Sequence, residues 1–304
     1  MVPVAALSLS WLIDRLWGEP RSAWHPVAWF GRVASPLGER IRRLPAPLAF
    51  GAGAIAWCLL VGAVAAAAHA LESALNDAPT WLALPLLAIT LKPTFAWTML
   101  KDEVLSVEAA LAQGLDAGRR RLAWLCSRDV SELDAGGVRE TAIETLAENL
   151  NDSFVAPLFW FAVAGLPGAW AWRAANTLDA MWGYRGPWEW AGKWTARADD
   201  VLAWVPARLA GLLLWQPGTG LSKLRREARL TPSPNGGWPM ASMALRLQVR
   251  LGKSGVYVLN RDAPGPTAHS LRQSIDAAER ASRLALVGVV LVLLAVNASA
   301  AVTR

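Results

Sequence analysis

The sequence predicts an all-α, polytopic integral membrane protein with large cytoplasmic polar segments, and three observations carry that reading. The 304 residues are 54% hydrophobic and only 18% charged, an apolar excess over ordinary soluble domains. Two stretches are long and apolar enough to cross about 30 Å of hydrocarbon. One is 48–71, LAFGAGAIAWCLLVGAVAAAAHAL, without a formal charge; the other is 284–302, LALVGVVLVLLAVNASAAV, interrupted only by Asn297. The third observation is how the net charge of +6 is laid out. Arg21, Arg32, Arg40, Arg42 and Arg43 precede the first span, whereas the link after it, ESALNDAPT, has no Lys or Arg. Residues 18–47 therefore face the cytoplasm by the positive-inside rule.

Taken in chain order, 3–17 lacks the basic head and small-residue cleavage site of a signal sequence and reads as a mature first helix that carries Asp14. Beyond the 48–71 span, 81–100 is apolar but broken at Lys92-Pro93, and 154–172 and 201–216 are each broken by proline. These are expected as partial or broken spans. At such depth Lys92 and Arg208 must face protein, water or an anion. Lys101 and Arg119, Arg120 and Arg121 place the next polar segment inside, as do Lys223, Arg225, Arg226, Arg229, Arg246 and Arg250 for 218–283. The expectation is a single membrane-embedded catalytic domain over 1–304, multi-pass in a bacterial cytoplasmic (inner) membrane, with the lipid bilayer as a partner. Topology accounts for the basic residues and no nucleic-acid motif accompanies them, so a nucleic-acid partner is excluded.

The stretch ETAIETLAENLNDSF sets Glu140, Glu144, Glu148 and Asp152 four residues apart. On a helix they share one sector, with Ile143, Leu146, Ala147 and Leu150 roughly opposite. Like charges at this spacing repel, and no Lys or Arg interleaves along the stripe. The stripe is either a solvated face or the carboxylate side of a Mg²⁺ site, since Mg²⁺ takes hard oxygen ligands from carboxylates, water and phosphate. Ser131 and Asp134 ahead of it have capping-box spacing and read as helix initiation.

Other polar runs are dense in carboxylate, amide, Arg, Gly and Pro: GEPRSAWHPVAWFG, RDVSELD, NTLDAMWGYR, ARADDVLAWVPAR and SPNGGWPMASMALRLQVRLG. Asn176 and Asp179 at i,i+3 would present amide and carboxylate together, and Asp199 and Asp200 offer further carboxylates. With Glu144, Glu148 and Asp152 they make a carboxylate supply suited to Mg²⁺–phosphate chemistry, for which Arg128, Arg197 and Arg208 provide counter-charge. His25 is one of three histidines, too few for a His-rich zinc site; it reads as a positioned acid/base or as a satisfied structural imidazole. Cys58 and Cys126 cannot meet as a disulfide and form no metal site. Gly252-Lys253-Ser254 has the end of a P-loop, but Leu247 stands where its leading glycine belongs.

In their order along the chain these runs resemble the adenosylcobinamide-phosphate synthase family of cobalamin biosynthesis. DRLWGEPRSAWHPVAWFGR is similar to that family's N-terminal signature, and RDVSELD, IETLAENLNDSFVAPLFW, NTLDAMWGYR, ARADDVLAWVPARL and SPNGGWPMASMALRLQVRLG follow in the family's order, from about residue 10 to 258. At RLGKSGVYVLN the sequence departs, with Lys253 in place of a glycine and Tyr257-Val258-Leu259 in place of Tyr-x-Gly. The resemblance implies a ligase that uses ATP and Mg²⁺ to join the carboxylate of adenosylcobyric acid to (R)-1-amino-2-propanol or its O-phosphate. It implies Mg²⁺ held by Glu144, Glu148, Asp152, Asp179 and Asp199 or Asp200; phosphate charge offset by Arg128, Arg197 and Arg208; and orienting roles for Asn176 and Asn235. The alternative is a transporter or a non-catalytic membrane sensor on a related fold. The sequence shows no repeated halves, however, and a sensor would be expected to lose the carboxylates.

Overall fold

The computed structural model describes residues 1–302, with side chains through residue 299. Thirteen α-helices succeed one another among the described residues: α1 Val2–Trp17, α2 Pro26–Ile41, α3 Ala46–Asn76, α4 Thr80–Leu91, α5 Trp97–Leu111, α6 Leu115–Leu122, α7 Ala135–Leu150, α8 Ala156–Trp182, α9 Lys193–Leu202, α10 Trp204–Leu214, α11 Leu221–Ala228, α12 Gly237–Leu247 and α13 Ala268–Val302. One antiparallel hairpin, β1 Leu251–Lys253 with β2 Tyr257–Leu259, is the departure from an all-α pattern. Among the described residues four stretches are long and apolar enough to cross a membrane: Ala46–Asn76, Thr80–Leu111, Ala135–Trp182 and Ala268–Ser299. The uncharged stretch 48–71 falls inside the first of these, and 284–302 overlaps the last through Ser299. The other two are longer than the broken segments expected around 81–100 and 154–172, because flanking polar helix continues them. The segment expected at 201–216 is the short α10, and α1 is 16 residues long.

The chain forms two compact units. The first comprises Met1–Ala96, Ala156–Ala203 and Leu286–Arg304. Its main packing is α3 on α8, and the core that these two form with α2 is built from small side chains: Ala34, Ala49, Ala56, Ala174 and Ala175 around Leu178 and Trp182. Small residues let backbones approach closely where apolar surroundings give helices little other reason to associate. A Cβ on Gly38 would overlap the Trp182 indole, and one on Gly53 would lie 2.2 Å from the Ala191 carbonyl oxygen.

Both breaks in this unit are chemically closed. At Ala164–Gly165, α8 leaves helical geometry, with Gly165 at φ 64°, a conformation open to glycine at little cost. Pro167 then supplies no N–H, and the Leu166 amide donates to Glu72 Oε1 at 3.0 Å. At Lys92–Thr94 the helix tightens to a 3₁₀ turn. There the Thr94 carbonyl accepts from Arg173 Nε and Nη2 at 2.8 and 2.6 Å, and the Thr90 carbonyl accepts from Trp170 Nε1 at 2.9 Å. A buried carbonyl left unmatched would cost on the order of 1–3 kcal/mol, so these donors hold the break in place.

The second unit comprises Trp97–Val155 and Trp204–Ala285. At its centre is α7, which packs on α5, α6 and α12. The helix is buried on most of its circumference: Val138, Ala142, Ile143, Leu146, Ala147 and Leu150 are solvent-free, and Thr141 and Glu144 are buried with them. Its N-cap is Asp134, whose Oδ1 accepts from the Gly137 amide at 2.7 Å. Ser131 is not part of a capping box; its own amide donates to Asp129 Oδ1. Beyond Leu150 the helix widens into a π turn over Asn151–Val155, which shifts the side chains that follow out of the i,i+4 register.

Candidate functional site

The second unit holds the acidic helix and what neutralises it. Arg128 comes from the loop before α7. Its Nη2 donates to Glu144 Oε2 at 2.9 Å, and its Nη1 donates to Thr141 Oγ1 at 3.0 Å and to the Gly252 carbonyl at 3.4 Å. Glu144 is 2% exposed. Its other oxygen, Oε1, is buried without a hydrogen-bond partner of full geometry among the described residues. Beside it stands Tyr257 of β2, whose hydroxyl also lies 3.7 Å from Met240 Sδ. Burial first, and then the neighbouring charge of Glu144, push the Tyr257 phenol well above its ordinary value. The phenol therefore stays a hydrogen-bond donor throughout the physiological range.

The four-acid stripe is thus no single solvated or metal-facing side. Glu140 is half-buried and Glu144 is turned into the protein, whereas Glu148 is exposed and lies over the start of α12, where its Oε1 would be 3.1 Å from a Cβ on Gly236. Asp152 sits in the π turn, and its Oδ1 accepts from Asn151 Nδ2 at 2.8 Å. Arg139 does not relieve the stripe: it makes a two-pronged pair with Glu108 at 2.8 Å for each contact.

Arg208 of α10 is in this unit too. Of the protein, water or anion that it was expected to face, protein is what the described residues supply, and the partners are neutral. Nη1 donates to the Trp204 carbonyl and to Asn235 Oδ1, both at 2.7 Å, and Nη2 donates to the Pro234 carbonyl at 3.2 Å. Asn235 therefore orients Arg208. The turn that carries it is built by Ser233 Oγ, which accepts from the Asn235 and Gly236 amides. Gly237 permits close approach, since a Cβ there would stand 2.1 Å from the Ala228 carbonyl oxygen.

The remaining expected residues belong to the first unit. His25 is the N-cap of α2: Nδ1 accepts from the Val27 amide at 3.2 Å, which leaves Nε2 to carry the proton toward Glu19 Oε2 at 2.7 Å. Both ring nitrogens of His25 are therefore hydrogen-bonded within this unit. Asn176 Nδ2 donates to Asp199 Oδ1 at 3.4 Å. Asp179 lies against Gly183, where a Cβ would collide with its Oδ1. Burial raises the Asp200 carboxyl, and Arg197 is exposed.

One cluster in this unit was missed. Lys92 Nζ is 3.1 Å from Asp14 Oδ1 and also contacts Glu19 Oε1, with Asp14 fully buried. Burial works to raise the Glu19 carboxyl, but the His25 hydrogen bond and the Lys92 charge outweigh it and hold the group below its usual range. A signal was present: two intramembrane charges of opposite sign, each costly alone, are expected to find one another.

For Mg²⁺ the donor sets differ in fit. Among the described residues no three His, Cys, Asp or Glu side chains are arranged to hold a metal ion. Mg²⁺ needs only one or two protein carboxylates when substrate phosphates and water complete its octahedron. Glu148 and Asp152 have the right chemistry for that role. Glu144, committed to Arg128, does not.

The chain matches the family model described as CobD/Cbib protein over residues 7–301. It is similar to the probable cobalamin biosynthesis protein CobD of Pyrococcus abyssi, 40% identical over 283 residues that make up 91% of each chain. The protein of the same description in Methanothermobacter thermautotrophicus is 36% identical over 310 residues, 96% of this chain and 100% of the relative. The cobalamin biosynthesis protein CobD of Chromobacterium violaceum is 39% identical over 264 residues, 83% of this chain and 82% of the relative. No solved structure matches.

Proposed function

The chain belongs to the CobD/Cbib family, and from that premise we propose that it acts in cobalamin biosynthesis as a membrane ligase, an adenosylcobinamide-phosphate synthase. The substrates are adenosylcobyric acid, (R)-1-amino-2-propanol or its O-phosphate, and ATP; the product is a corrinoid amide. Its place is the inner membrane, crossed several times. In the first step a corrinoid carboxylate oxygen takes the γ-phosphoryl group and ADP leaves. In the second the neutral amine attacks the acyl carbon, phosphate departs, and the nitrogen gives up a proton.

The observation that carries this reading to chemistry is the Arg128–Glu144 pair, with Oε2 taken by the guanidinium and Oε1 buried without a hydrogen bond of full geometry among the described residues, beside the Tyr257 phenol. A general base must lie within hydrogen-bond reach of the proton that it takes, and Oε1 is the atom we assign to receive it from the amine. Arg128 holds Glu144 in place through Oε2 and Thr141, while Tyr257 supplies a neutral donor at the same spot. Mg²⁺, when bound, would stabilise phosphate charge, with Glu148 and Asp152 as ligands in this unit. Asp179, Asp199 and Asp200 remain proposed ligands, Arg197 and Arg208 proposed phosphate counter-charges, and Asn176 a proposed orienting group. The test is conversion of adenosylcobyric acid by the purified full chain with either amine, ATP and Mg²⁺, read as the mass of the amide. Failure with both amines would sink the assignment.

A further inference from the structure

The second unit contains a cavity of about 670 Å³ lined by Trp204, Arg208, Arg225, Arg229, Ser233 and Trp238, among others, with three guanidinium groups and no carboxylate in its wall. Its construction is uneven in an informative way. Arg208 is fixed: its Cζ lies 4.2 Å from the centre of the Trp204 ring and 5.2 Å from that of Trp238, and its three hydrogen bonds run to two backbone carbonyls and an amide oxygen. A guanidinium has five N–H donors, so those bonds leave part of the fork free. Arg225 and Arg229, at the end of α11, are exposed and form no ion pair among the described residues. A partly desolvated charge clamped by neutral groups and flanked by two further cations lacks an anion, and desolvation strengthens the attraction for one.

We propose that this cavity is a binding site for a phosphate ester. Arg208 is its oriented donor, Arg225 and Arg229 close over the remaining oxygens, and the indoles of Trp204 and Trp238 pack against the carbon-bearing side of the ligand. Arginine suits this role because its planar fork matches phosphate oxygens two at a time. The inference deepens the phosphate role proposed for Arg208 and rests on that reading, but binding is measurable without corrinoid or turnover. Two sources present the same chemistry. One is a small phosphomonoester from solution. The other is an anionic lipid headgroup, since Val205, Leu209 and Leu212 of α10 are exposed apolar residues beside the cavity-lining Trp204 and Arg208.

The full chain in phosphatidylcholine nanodiscs would be dialysed to equilibrium against radiolabelled O-phosphoethanolamine. In parallel, native mass spectrometry would follow phosphatidylglycerol retained from mixed-lipid nanodiscs. Saturable one-to-one binding of O-phosphoethanolamine, weakened at least about tenfold in Arg208→Lys and in the double variant Arg225→Ala/Arg229→Ala, supports the site with a soluble ligand. One retained phosphatidylglycerol, lost in the same variants, supports it with a lipid ligand. Both substitutions in the double variant are at exposed positions, which keeps the test decisive if Arg208→Lys does not fold. Wild type that binds neither probe, or a double variant that binds as wild type does, overturns the proposal. A protein that amidates yet binds neither probe loses this site and keeps its reaction; one that binds but never amidates does the reverse.

Discussion

Each unit of this protein buries an ion-pair network, and the two networks are built to different ends. In the first, one ammonium serves two carboxylates: Lys92 meets Asp14 and Glu19, and Glu19 is also held by His25, which caps α2. The partners come from widely separated parts of the chain, and both Glu19 oxygens are committed, Oε1 to Lys92 and Oε2 to His25. In the second, one guanidinium serves one carboxylate, Arg128 on Glu144 Oε2, and the Tyr257 hydroxyl is a neutral donor to the same side chain. A carboxylate held on both oxygens by a cation and an imidazole has no oxygen to spare, while one held by a single cation and a neutral donor keeps an oxygen able to take a proton. On that contrast we propose stability as the role of the first network and proton transfer as the role of the second.

The largest expected effect comes from breaking the first network. Lys92→Met strands two acids at once, one of them fully buried, and removal of one partner from a buried pair costs about 3–5 kcal/mol. We expect little or no folded protein in the membrane fraction, read as loss of the monodisperse peak after extraction. Near-normal yield and thermal stability would show that water reaches Asp14 and Glu19.

Next is Glu144→Gln, which keeps shape and removes the proton acceptor. If Oε1 takes the amine proton, kcat falls by about 100-fold or more while the thermal midpoint moves by only a few degrees. Arg128→Leu should cost both, with about 1.5–3 kcal/mol of stability for the lost charged hydrogen bonds. Normal turnover in Glu144→Gln would make the two networks equivalent, each merely structural.

The comparison also fixes how far the sequence could be read. The spans at 48–71 and 284–302 were legible because length and lack of charge are properties of a contiguous segment. The breaks at Lys92-Pro93 and near Pro167 were legible because proline acts on its own backbone. The acidic stripe was misread: its neutralising charge, Arg128, lies 16 residues before Glu144 and returns only through the loop that precedes α7, and the π turn at Asn151–Val155 removes Asp152 from the register that a straight helix implies. Asp14 and Lys92 were each visible as costly charges, but pairing them requires the packing of α1 on α4. Arg208 was visible for the same reason, and its neutral partners in the SPNG turn were not.

A pH titration separates the networks with a smaller effect. The Glu19 carboxyl is held below its ordinary value of 4.5, so its contribution is present above that value and is lost as pH falls through the folded-state pKa. The Tyr257 phenol is raised above its ordinary value of 10.0, so its contribution is complete below pH 10 and is lost as pH climbs toward the folded-state pKa. Thermal unfolding of the full chain should therefore weaken at both ends. Tyr257→Phe should abolish only the alkaline arm, and Glu19→Gln should reduce only the acid arm. An alkaline arm that persists in Tyr257→Phe would assign it to another group.

The smallest expected effect is at Cys126, and it decides whether the second network works alone. Cys126 precedes Arg128 by two residues, and its thiol donates to the Leu122 carbonyl at 3.7 Å. Burial pushes the thiol up, and the nearby Arg128 only partly offsets it, so little thiolate exists at neutral pH and nucleophilicity is poor. An acyl-phosphate route needs no thiol. Cys126→Ala should therefore leave kcat within about twofold of wild type and stability within about 1 kcal/mol, and alkylation of the native protein at this position should be slow. Lost turnover in a folded Cys126→Ala variant, together with a corrinoid adduct on Cys126 in the wild type, would replace the acyl phosphate with a thioester. Glu144 would then be the base that serves the thiol, and Oε1 would have a different proton to collect.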